Sequence, residues 1–369
     1  MAIRKYLRIL MVFFMALIAQ ACIKALPGEA LGGQGIKVLV YSIKDGEAAV
    51  VKGARQAADV VEIKKGDAGW IFANGKNARL PIRLRPRQEF IHVNSRPYRG
   101  EMHILDSKDG VLFVNEVSVE WYVMGIIGRE ISTKWPFEAV KAQAVIARTY
   151  ALYNRSKRRD EPYHLQGTVL GQVYGGAAAE DAAAKKAVND TRGMILAYNG
   201  EPALAAYHSN AGGQTDSSED VWKKDYPYLT RVESSHDSEA PNFQWELSVP
   251  AEALKGLLNA AGHALAEPDV VMIDSTTRAG RIKTLVIRDA DSREIRISGE
   301  DLRKILGYDK LKSTLFEAEK QGGSFVFRGR GAGHGVGLSQ WGAKGMAASG
   351  YSYKEILKHY YPGTRLKAF

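Results

Sequence analysis

The stretch GREISTKWPFEAVKAQAVIARTYALYN, residues 128–154, joins the end of one predicted helix to a long second helix. The first helix begins at Ser118, a residue type favoured at the N-cap, and Glu120 in its first turn complements the helix dipole. The second helix starts at Pro136, because proline is favoured at the first helical position, and it runs to about Tyr153. The pattern therefore predicts a helical core built on this pair.

Glu130 lies where the apolar face of the first helix would be expected to end in another hydrophobic residue. The members of this face recur at helical spacing: Val119, Tyr122, Val123, Ile126, Ile127 and Glu130. Partial burial and the negative end of the helix dipole both disfavour a carboxylate, so both should raise the pKa of Glu130. A raised pKa suits a general acid that works near neutral pH. In the alternative interpretation, Glu130 turns to the helix edge and pairs with Arg129 or Lys134, since most helical glutamates are solvated.

The second helix carries a stripe of small residues that allows close packing. Its members at helical spacing are Val140, Ala144, Ala147 and Ala151. Gln143 lies on or beside this stripe, and Arg148 lies at its flank. The forked guanidinium of Arg148 could hold a carboxylate or a substrate oxygen. A structural role, in which Arg148 satisfies backbone carbonyls, is an equal alternative.

Around this helical pair, the chain alternates between strand-rich and mixed regions. Residues 36–110 contain short β-branched runs bounded by Gly, Asp and Asn, which predict meandering antiparallel strands. Residues 111–369 would form the main domain, with a hairpin at Asn199-Gly200. Within it, residues 240–325 are a candidate inserted subdomain of α/β or α+β type, with a short helix capped by Ser298.

Two further helices and one loop complete the prediction. An alanine-rich helix is expected within residues 177–193, and the segment SYKEILKHYYPG near the C-terminus predicts another. Between the subdomain and this last helix, residues 327–350 predict a glycine-dense loop. The fold class is therefore α+β: a helical core packed with antiparallel strands, a strand-rich N-terminal segment, and an α/β segment before the glycine-rich loop.

The chain of 369 residues carries a formal net charge of +10 and has a pI of about 9.4. Such a charge favours a polyanionic partner. Nucleic acid, an anionic membrane surface and an acidic cell wall all fit, and so does a solvated surface that serves only solubility. No aromatic RNA-binding run, zinc finger or basic heptad helix is present, so no nucleic-acid partner is expected.

The N-terminus, MAIRKYLRILMVFFMALIAQAC, predicts export. Residues 1–22 combine a basic start, an apolar run too short for a comfortable membrane span, and small residues before Cys22. Ala-Gln-Ala-Cys resembles a bacterial lipobox, in which a lipidated Cys22 anchors the protein to a membrane; plain cleavage after Ala21 is the alternative. Either way, we expect a mature protein in the periplasm or cell envelope, joined by a linker over residues 23–35. Cys22 is the only cysteine, which excludes an internal disulfide and a thiolate zinc site.

Two glycine-rich runs display polar side chains that suit hydrogen bonding to a hydroxyl-rich ligand. The first displays His208, Ser209 and Asn210, although the same composition is typical of turns. No hydrolase triad is expected there, because adjacent side chains point apart, and no metal-ligand spacing is present. The second run displays His334, Ser339, Gln340 and Trp341. Its glycine spacing matches neither a phosphate loop nor a dinucleotide fingerprint, and its tryptophan is either core or a sugar-stacking platform.

Five ordered segments together resemble the SpoIID/LytB family, named for a sporulation cell-wall protein and an amidase enhancer. They are EWYVMGIIGREISTKWPFEAVKAQAVIARTYAL, GQVYGG, RGMILAYNGEPALAAYHSNAGGQT, VW…DYPYL and GRGAGHGVGLSQWGAKGMAASGYSYKEILKHYYPGT. They cover most of the chain from about Val111 to Thr364, in the order found in the family.

The resemblance implies a lytic transglycosylase that cleaves peptidoglycan glycan strands, preferably those stripped of stem peptides. The catalytic acid of the family falls on Glu130, and an arginine associated with activity falls on Arg148. Other residues would line the glycan cleft or support Glu130: Gln143, Gln172, Tyr174, His208, Ser209, Asn210, Tyr228, His334, Ser339, Gln340 and Trp341. Some members bind zinc through cysteines near the first loop. Residues 210–217 contain none, so no metal and no cofactor is expected.

A lytic transglycosylase can work with one carboxylate, whereas glycoside hydrolysis normally uses two. Glu130 would protonate the glycosidic oxygen and then accept the proton of the muramic acid C6 hydroxyl, whose oxygen closes a 1,6-anhydro ring. We expect the turn between the helices to set Glu130 at a cleft edge with Arg148 within reach. One alternative is a non-catalytic wall-binding protein that stimulates an N-acetylmuramoyl-L-alanine amidase. A third hypothesis is a purely structural envelope lipoprotein.

Overall fold

A computed structural model describes residues 35–55, 59–67, 69–168 and 172–369. The predicted export signal, Cys22 and all but the last residue of the predicted linker lie outside these ranges. Residues 36–369 form one unit by their internal contacts. No helix within the described ranges is long and apolar enough to cross a membrane.

The N-terminal region is built of strands, as its β-branched runs predict. Within the described ranges, ten strands precede the helix that begins at Val119: β1 (Ile36–Ile43), β2 (Ala48–Lys52), β3 (Val60–Lys65), β4 (Trp70–Ala73), β5 (Lys76–Arg79), β6 (Ile82–Leu84), β7 (Ile91–Val93), β8 (Arg96–Tyr98), β9 (Glu101–Ser107) and β10 (Gly110–Val117). One sheet has the order β5-β4-β3-β2-β7-β8. The other has the order β1-β10-β9-β6 and gains β11 (Leu165–Gln166), which pairs in parallel with β1. Apart from that pair, neighbouring strands of both sheets are antiparallel, so the predicted meander is confirmed.

The predicted helical pair follows directly. Helix α1 spans Val119–Glu130, and the Ser118 side chain caps it by accepting from the backbone N–H of Trp121. Helix α2 spans Phe137–Lys157, so it begins just after Pro136 and runs past the predicted end near Tyr153. Both predicted helices are confirmed.

Helix α2 is buried on two sides because two hydrophobic cores meet at it. The apolar face of α1 and the buried side of the N-terminal sheets form the first core, which also contains Val140, Ala144, Ala147 and Ala151 of α2. The second core takes Ala142, Val145 and Ile146 of α2 and packs them against the C-terminal segment. A helix enclosed in this way needs small side chains, which accounts for its alanines.

Short elements follow around the predicted hairpin. They are α3 (Ala182–Asp190), β12 (Met194–Tyr198), β13 (Glu201–Pro202), β14 (Tyr207–His208), β15 (Gly213–Gln214), α4 (Ser218–Trp222) and β16 (Glu233–Ser234). Asn199 and Gly200 have φ angles of 50° and 88°, as a tight two-residue hairpin requires. The hairpin joins β12 to β13 as predicted. Helix α3 is shorter than the predicted 177–193, because a 3₁₀ turn occupies Gly176–Ala179.

The segment proposed as a subdomain has its own core. Its elements are β17 (Gln244–Pro250), α5 (Ala251–Ala260), β18 (Pro268–Thr276), β19 (Ile282–Asp289), β20 (Glu294–Ser298), α6 (Gly299–Leu306), β21 (Phe316–Gln321) and β22 (Ser324–Arg330). They form two three-stranded sheets, and the apolar residues between these sheets and the two helices are buried together. Ser298 caps α6 as predicted. The assignment of residues 240–325 as an insertion stays a prediction.

The C-terminal segment contains a helix that the sequence did not predict. Its elements are β23 (Leu338–Ser339), α7 (Gln340–Ala348), α8 (Tyr353–Tyr360) and β24 (Arg365–Ala368). Strand β22 and helix α7 take up most of the predicted loop 327–350, so the glycine-rich loop is confined to residues 331–337. The glycines of α7 are needed for close packing: a Cβ on Gly342 would collide with Tyr360, and one on Gly345 with the carbonyl of His236.

Candidate active site

Glu130 ends helix α1 and lies half-buried at a cleft. Its Oε1 accepts a hydrogen bond of 2.7 Å from the backbone N–H of Val173. Burial raises the pKa of Glu130, and hydrogen bonds from Val173 and the Tyr207 hydroxyl oppose part of that rise. No cation among the described residues lies within ion-pair distance of this carboxylate, so the alternative pairing with Arg129 or Lys134 is not observed.

Hydrogen bonds connect three polar side chains near Glu130: Tyr122, Gln172 and Tyr207. The Tyr122 hydroxyl donates to Oε1 of Gln172 at 3.0 Å, and Nε2 of Gln172 donates to the Tyr207 hydroxyl at 3.3 Å. Because Tyr207 accepts from Gln172, its own proton is left for another acceptor, and the interaction of this hydroxyl with Glu130 lowers the pKa of the carboxylate. Burial raises the pKa of Tyr207 well above its usual value, so this hydroxyl stays protonated. These hydrogen bonds thus link Tyr122 of α1 to the Tyr207 hydroxyl that acts on Glu130.

The cleft in front of Glu130 has a volume of about 570 Å³. Five of its lining residues were predicted from sequence: Glu130, His208, Ser209, His334 and Gln340. The other lining residues were not predicted: Tyr150, Val173, Leu204, Ala206, Tyr207 and Trp222. Two polar loops and the end of α1, distant in sequence, are therefore brought to one site.

The cleft histidines are neutral hydrogen-bonding groups. His334 accepts at Nδ1 from the Val336 N–H (3.1 Å) and lies 2.9 Å from the Tyr207 carbonyl through Nε2, which assigns the proton to Nε2. Burial lowers the pKa of His334 to about 4, with Arg281 adding to the effect. Burial also lowers the pKa of His208 well below its ordinary value. Neither ring carries charge near neutral pH.

Aromatic rings flank the cleft. The Trp222 ring packs against the His334 imidazole with centroids 5.2 Å apart, and Trp222 is 37% exposed. Trp341, at the start of α7, packs against Trp135 of the interhelical turn at 5.1 Å and lies under the Lys344 ammonium. Trp341 is half-buried and does not line the cleft itself.

Two glutamines connect α7 to the helical pair. Nε2 of Gln340 lies 3.5 Å from both the Glu130 backbone carbonyl and Oε1 of Gln143. Gln143 is buried, and its Nε2 has no partner within the described ranges. These long contacts tie the C-terminal end of α1 to the first residue of α7.

Arg148 lies elsewhere, and the expectation that it reaches Glu130 is wrong. Its side chain is fully buried and forms a two-pronged ion pair with Glu120, at 2.9 and 2.7 Å. It also donates to the carbonyls of Met194 (3.0 Å) and Val188 (3.3 Å). Glu120 and Glu130 lie at opposite ends of α1, roughly 15 Å apart along the axis. Arg148 therefore binds both a carboxylate and backbone carbonyls, two of the interactions that the sequence left open for it. It does so away from the cleft.

Four further predicted residues hold the structure instead of lining the cleft. The buried Tyr174 hydroxyl donates to Asn115 at 2.9 Å, and the Tyr228 hydroxyl accepts from the Leu204 N–H at 2.7 Å. Ser339 caps α7. Asn210 is buried beside the 331–337 loop through backbone pairing with Ala332. None of these side chains is open to a glycan, because packing encloses each of them.

Some of the missed residues had sequence signals. Tyr207 precedes His208 within the same segment, and Trp222 belongs to the VW…DYPYL segment. Val173 contributes its backbone N–H. Every residue except proline has this group, so the sequence carries no signal for it.

A group of potential metal ligands lies outside the cleft. Within the part of the chain that the structure describes, Glu101, His103 and Glu116 have ligand atoms within 4.8 Å of one another. Arg83 and Arg85 already pair with Glu101, which disfavours a further cation there. The expectation of a metal-free, cofactor-free cleft stays a prediction.

Comparison with known proteins matches the helical pair to a family model. The family model described as stage II sporulation protein, SpoIID, matches residues 107–198, which contain α1, α2 and Glu130. A stage II sporulation protein D of Bacillus amyloliquefaciens is 33% identical over 68% of this chain and 74% of its own. The chain belongs to the SpoIID family. The resemblance inferred from the five segments is thus confirmed.

Other relatives extend the comparison. An uncharacterized protein of Brachyspira hyodysenteriae is 34% identical over 75% of this chain and 74% of its own. An amidase enhancer of Bacillus subtilis is 30% identical over 66% of this chain but only 40% of its own length. Residues 228–337 match a separate family model described as a domain of unknown function.

Proposed function

We propose that this SpoIID-family protein is a peptidoglycan lytic transglycosylase with Glu130 as its acid and base. The observation that carries the proposal is a single carboxylate in the cleft: among the described lining residues, Glu130 alone is acidic. Its raised pKa favours the protonated form that a general acid needs. A site with one carboxylate suits an intramolecular reaction better than hydrolysis with two.

The reaction needs one proton shuttle. Protonated Glu130 gives its proton to the glycosidic oxygen as the bond from that oxygen to C1 of muramic acid breaks. The carboxylate then takes the proton of the C6 hydroxyl on the same sugar, and the C6 oxygen bonds to C1. The products are a 1,6-anhydro-muramoyl end and a free hydroxyl on the leaving N-acetylglucosamine. Atoms and charge balance without water.

The surroundings of Glu130 fit both halves of this cycle. The Val173 N–H and the Tyr207 hydroxyl stabilise the carboxylate formed after the first transfer. Ser209 offers hydrogen bonds to sugar hydroxyls and acetamido groups, and the exposed face of Trp222 offers a stacking surface. The substrate would be the peptide-free glycan strand, as the resemblance of the five segments to the SpoIID/LytB family implies.

The location of the protein is part of the proposal. Export by residues 1–22, with a lipid anchor on Cys22, would bring the mature chain to the cell envelope. The net charge of +10 favours an acidic wall polymer as partner.

The test is digestion of amidase-treated glycan strands, with mass spectrometry of the products. We expect anhydro-muramoyl ends from the wild type and a loss of about 10²–10⁴-fold in their rate of formation for Glu130→Gln. Glu252→Gln, an exposed glutamate on α5, is the matched control and should retain full activity. Unchanged product formation by Glu130→Gln would remove the role assigned to this residue.

The second candidate function is stimulation of a wall amidase without catalysis. The 30% identity to an amidase enhancer favours it. In that case the wild type would form no anhydro ends while raising the rate at which an N-acetylmuramoyl-L-alanine amidase releases stem peptides. The Glu130→Gln variant would then stimulate as well as the wild type.

A further inference from the structure

The outer face of the six-stranded N-terminal sheet carries two aromatic side chains that no element of the described ranges covers. Trp70 and Phe72 lie two residues apart on β4, so both point to the same side of the sheet. They are 43% and 44% exposed, whereas Ile71 between them is buried in the first core. The two rings together form an exposed apolar patch bordered by polar side chains, a feature that marks interaction sites.

Polar and basic side chains border these rings. The register places Arg79 opposite Trp70, and Asn77 and Lys64 on either side of Phe72. Directly opposed residues of antiparallel strands share a face, so all of them surround the aromatic row. Arg79 has no carboxylate partner among the described residues. Lys64 shares an exposed ion pair with Glu62 at 3.1 Å, which solvent weakens.

We propose that this face, formed by Trp70, Phe72, Lys64, Asn77 and Arg79, is a second binding site for peptide-free glycan strands, distinct from the Glu130 cleft. The apolar face of a pyranose ring stacks on an aromatic ring, and a row of two rings bordered by donors fits a linear sugar polymer. Removal of the stem peptide leaves a free lactyl carboxylate on each muramic acid. Arg79 and Lys64 supply the complementary positive charge.

This inference rests on the proposed glycan substrate, and it adds a reason for the enzyme to hold long strands. Two sites on one chain raise the effective concentration of a long strand at the cleft, whereas a short oligosaccharide occupies only one site. The loss of the aromatic face should therefore affect long strands and spare short fragments.

The experiment measures dissociation constants of the full chain carrying Glu130→Gln, which leaves strands uncut. In this background, Trp70→Ala with Phe72→Ala should weaken binding to long peptide-free strands about tenfold. Binding to a tetrasaccharide should not change. Tyr308→Ala, which removes a 49% exposed aromatic of the middle segment, is the matched control and should match the parent. Equal affinity of the double variant and the parent for long strands would overturn the proposal.

Two further arms separate stacking and charge from misfolding and from other partners. Trp70→Tyr with Phe72→Tyr keeps both rings and should retain affinity; a loss equal to that of the alanine variant would contradict stacking.

Strands whose lactyl carboxylates are converted to amides should bind the parent more weakly, and Arg79→Gln should remove part of that difference. Equal binding of both strand types would overturn the charge complementarity. If the aromatic pair is needed for binding anionic phospholipid vesicles and not strands, the face belongs to a membrane and the proposal fails.

The binding measurements test the aromatic face independently of the activity assay. Absence of anhydro ends from the wild type would refute the transglycosylase, while the dissociation constants alone decide the aromatic face.

Discussion

The Glu130 carboxylate and the backbone N–H of Val173 form a hydrogen bond of 2.7 Å across the edge of the cleft. The bond links the last residue of α1 to a segment that lies far from it in sequence. It acts against burial, which by itself favours the protonated acid. Burial thus favours the protonated form of Glu130 and this hydrogen bond favours its carboxylate form, as the proposed acid and base requires.

Replacing Tyr207 with Phe should move the pH profile of glycan cleavage. The Tyr207 hydroxyl lowers the pKa of Glu130, so its removal raises that pKa further. Because the protonated acid starts the reaction, the alkaline limb of kcat/KM should shift to higher pH, while kcat falls about tenfold as the carboxylate loses a donor. Tyr150→Phe is the control, since Tyr150 also lines the cleft without being a hydrogen-bond partner of Glu130. An alkaline limb that stays in place in Tyr207→Phe would show that this hydroxyl does not tune Glu130.

Because the pKa of Glu130 is raised, ionised Glu130 should lower the free energy of unfolding. This destabilisation should appear only at pH values where Glu130 is ionised in the folded protein. The folded-state pKa lies above the usual value of 4.5, so the folded protein binds this proton more tightly than the unfolded chain. The resulting stabilisation is full below pH 4.5 and is lost as pH rises through the folded-state pKa. Gln does not titrate. We expect Glu130→Gln to match the wild type in melting temperature near pH 4 and to exceed it near pH 7.

Thermal melts at both pH values check this expectation, with Glu252→Gln as an exposed control. A difference that is the same at pH 4 and pH 7 would contradict the link between burial and the pKa of Glu130.

The main features of the fold and Glu130 itself could be predicted from sequence because they follow from local periodicity. The spacing of the α1 face marked Glu130 as a carboxylate at an apolar position, and the structure has it half-buried with a raised pKa. The Asn199-Gly200 hairpin and the Ser118 and Ser298 caps were likewise local signals. His208 and His334 were predicted as displayed groups in two glycine-rich runs, and both line the cleft.

What the sequence missed depends on tertiary contacts. The partner of Arg148 is set by how α1 crosses α2, which helix periodicity does not specify. The Val173 donor depends on the path of a loop. Tyr174 and Tyr228 belong to segments that match the family, but their hydroxyls are used by Asn115 and by the Leu204 N–H.

The Glu120–Arg148 ion pair predicts a structural and not a catalytic phenotype. Arg148→Met leaves Glu120 buried without its partner and should cost about 3–5 kcal/mol of unfolding free energy. Adding Glu120→Gln removes the unpaired charge while an amide oxygen can still accept from the Gly193 N–H, so stability should partly return. Denaturant unfolding measures both changes. The double variant should cleave glycan at a rate near that of the wild type per folded molecule. If the double variant regained stability but did not cleave glycan, Arg148 would have a role in the reaction.

Replacing a glycine with alanine should have opposite effects on stability in α7 and in α5. Gly342→Ala would force a Cβ against the Tyr360 hydroxyl and Ser234 in the second core, so we expect a loss of about 1–3 kcal/mol in unfolding free energy. Gly256 lies in α5, where a Cβ would meet no other atom within 4 Å, so Gly256→Ala should stabilise the protein by about 0.5–1 kcal/mol through helix propensity. Because Gln340 begins α7 and contacts the Glu130 carbonyl, Gly342→Ala should also lower cleavage activity. Denaturant titrations of both variants test the pair, and a neutral Gly342→Ala would mean that α7 can move away from Tyr360 without loss.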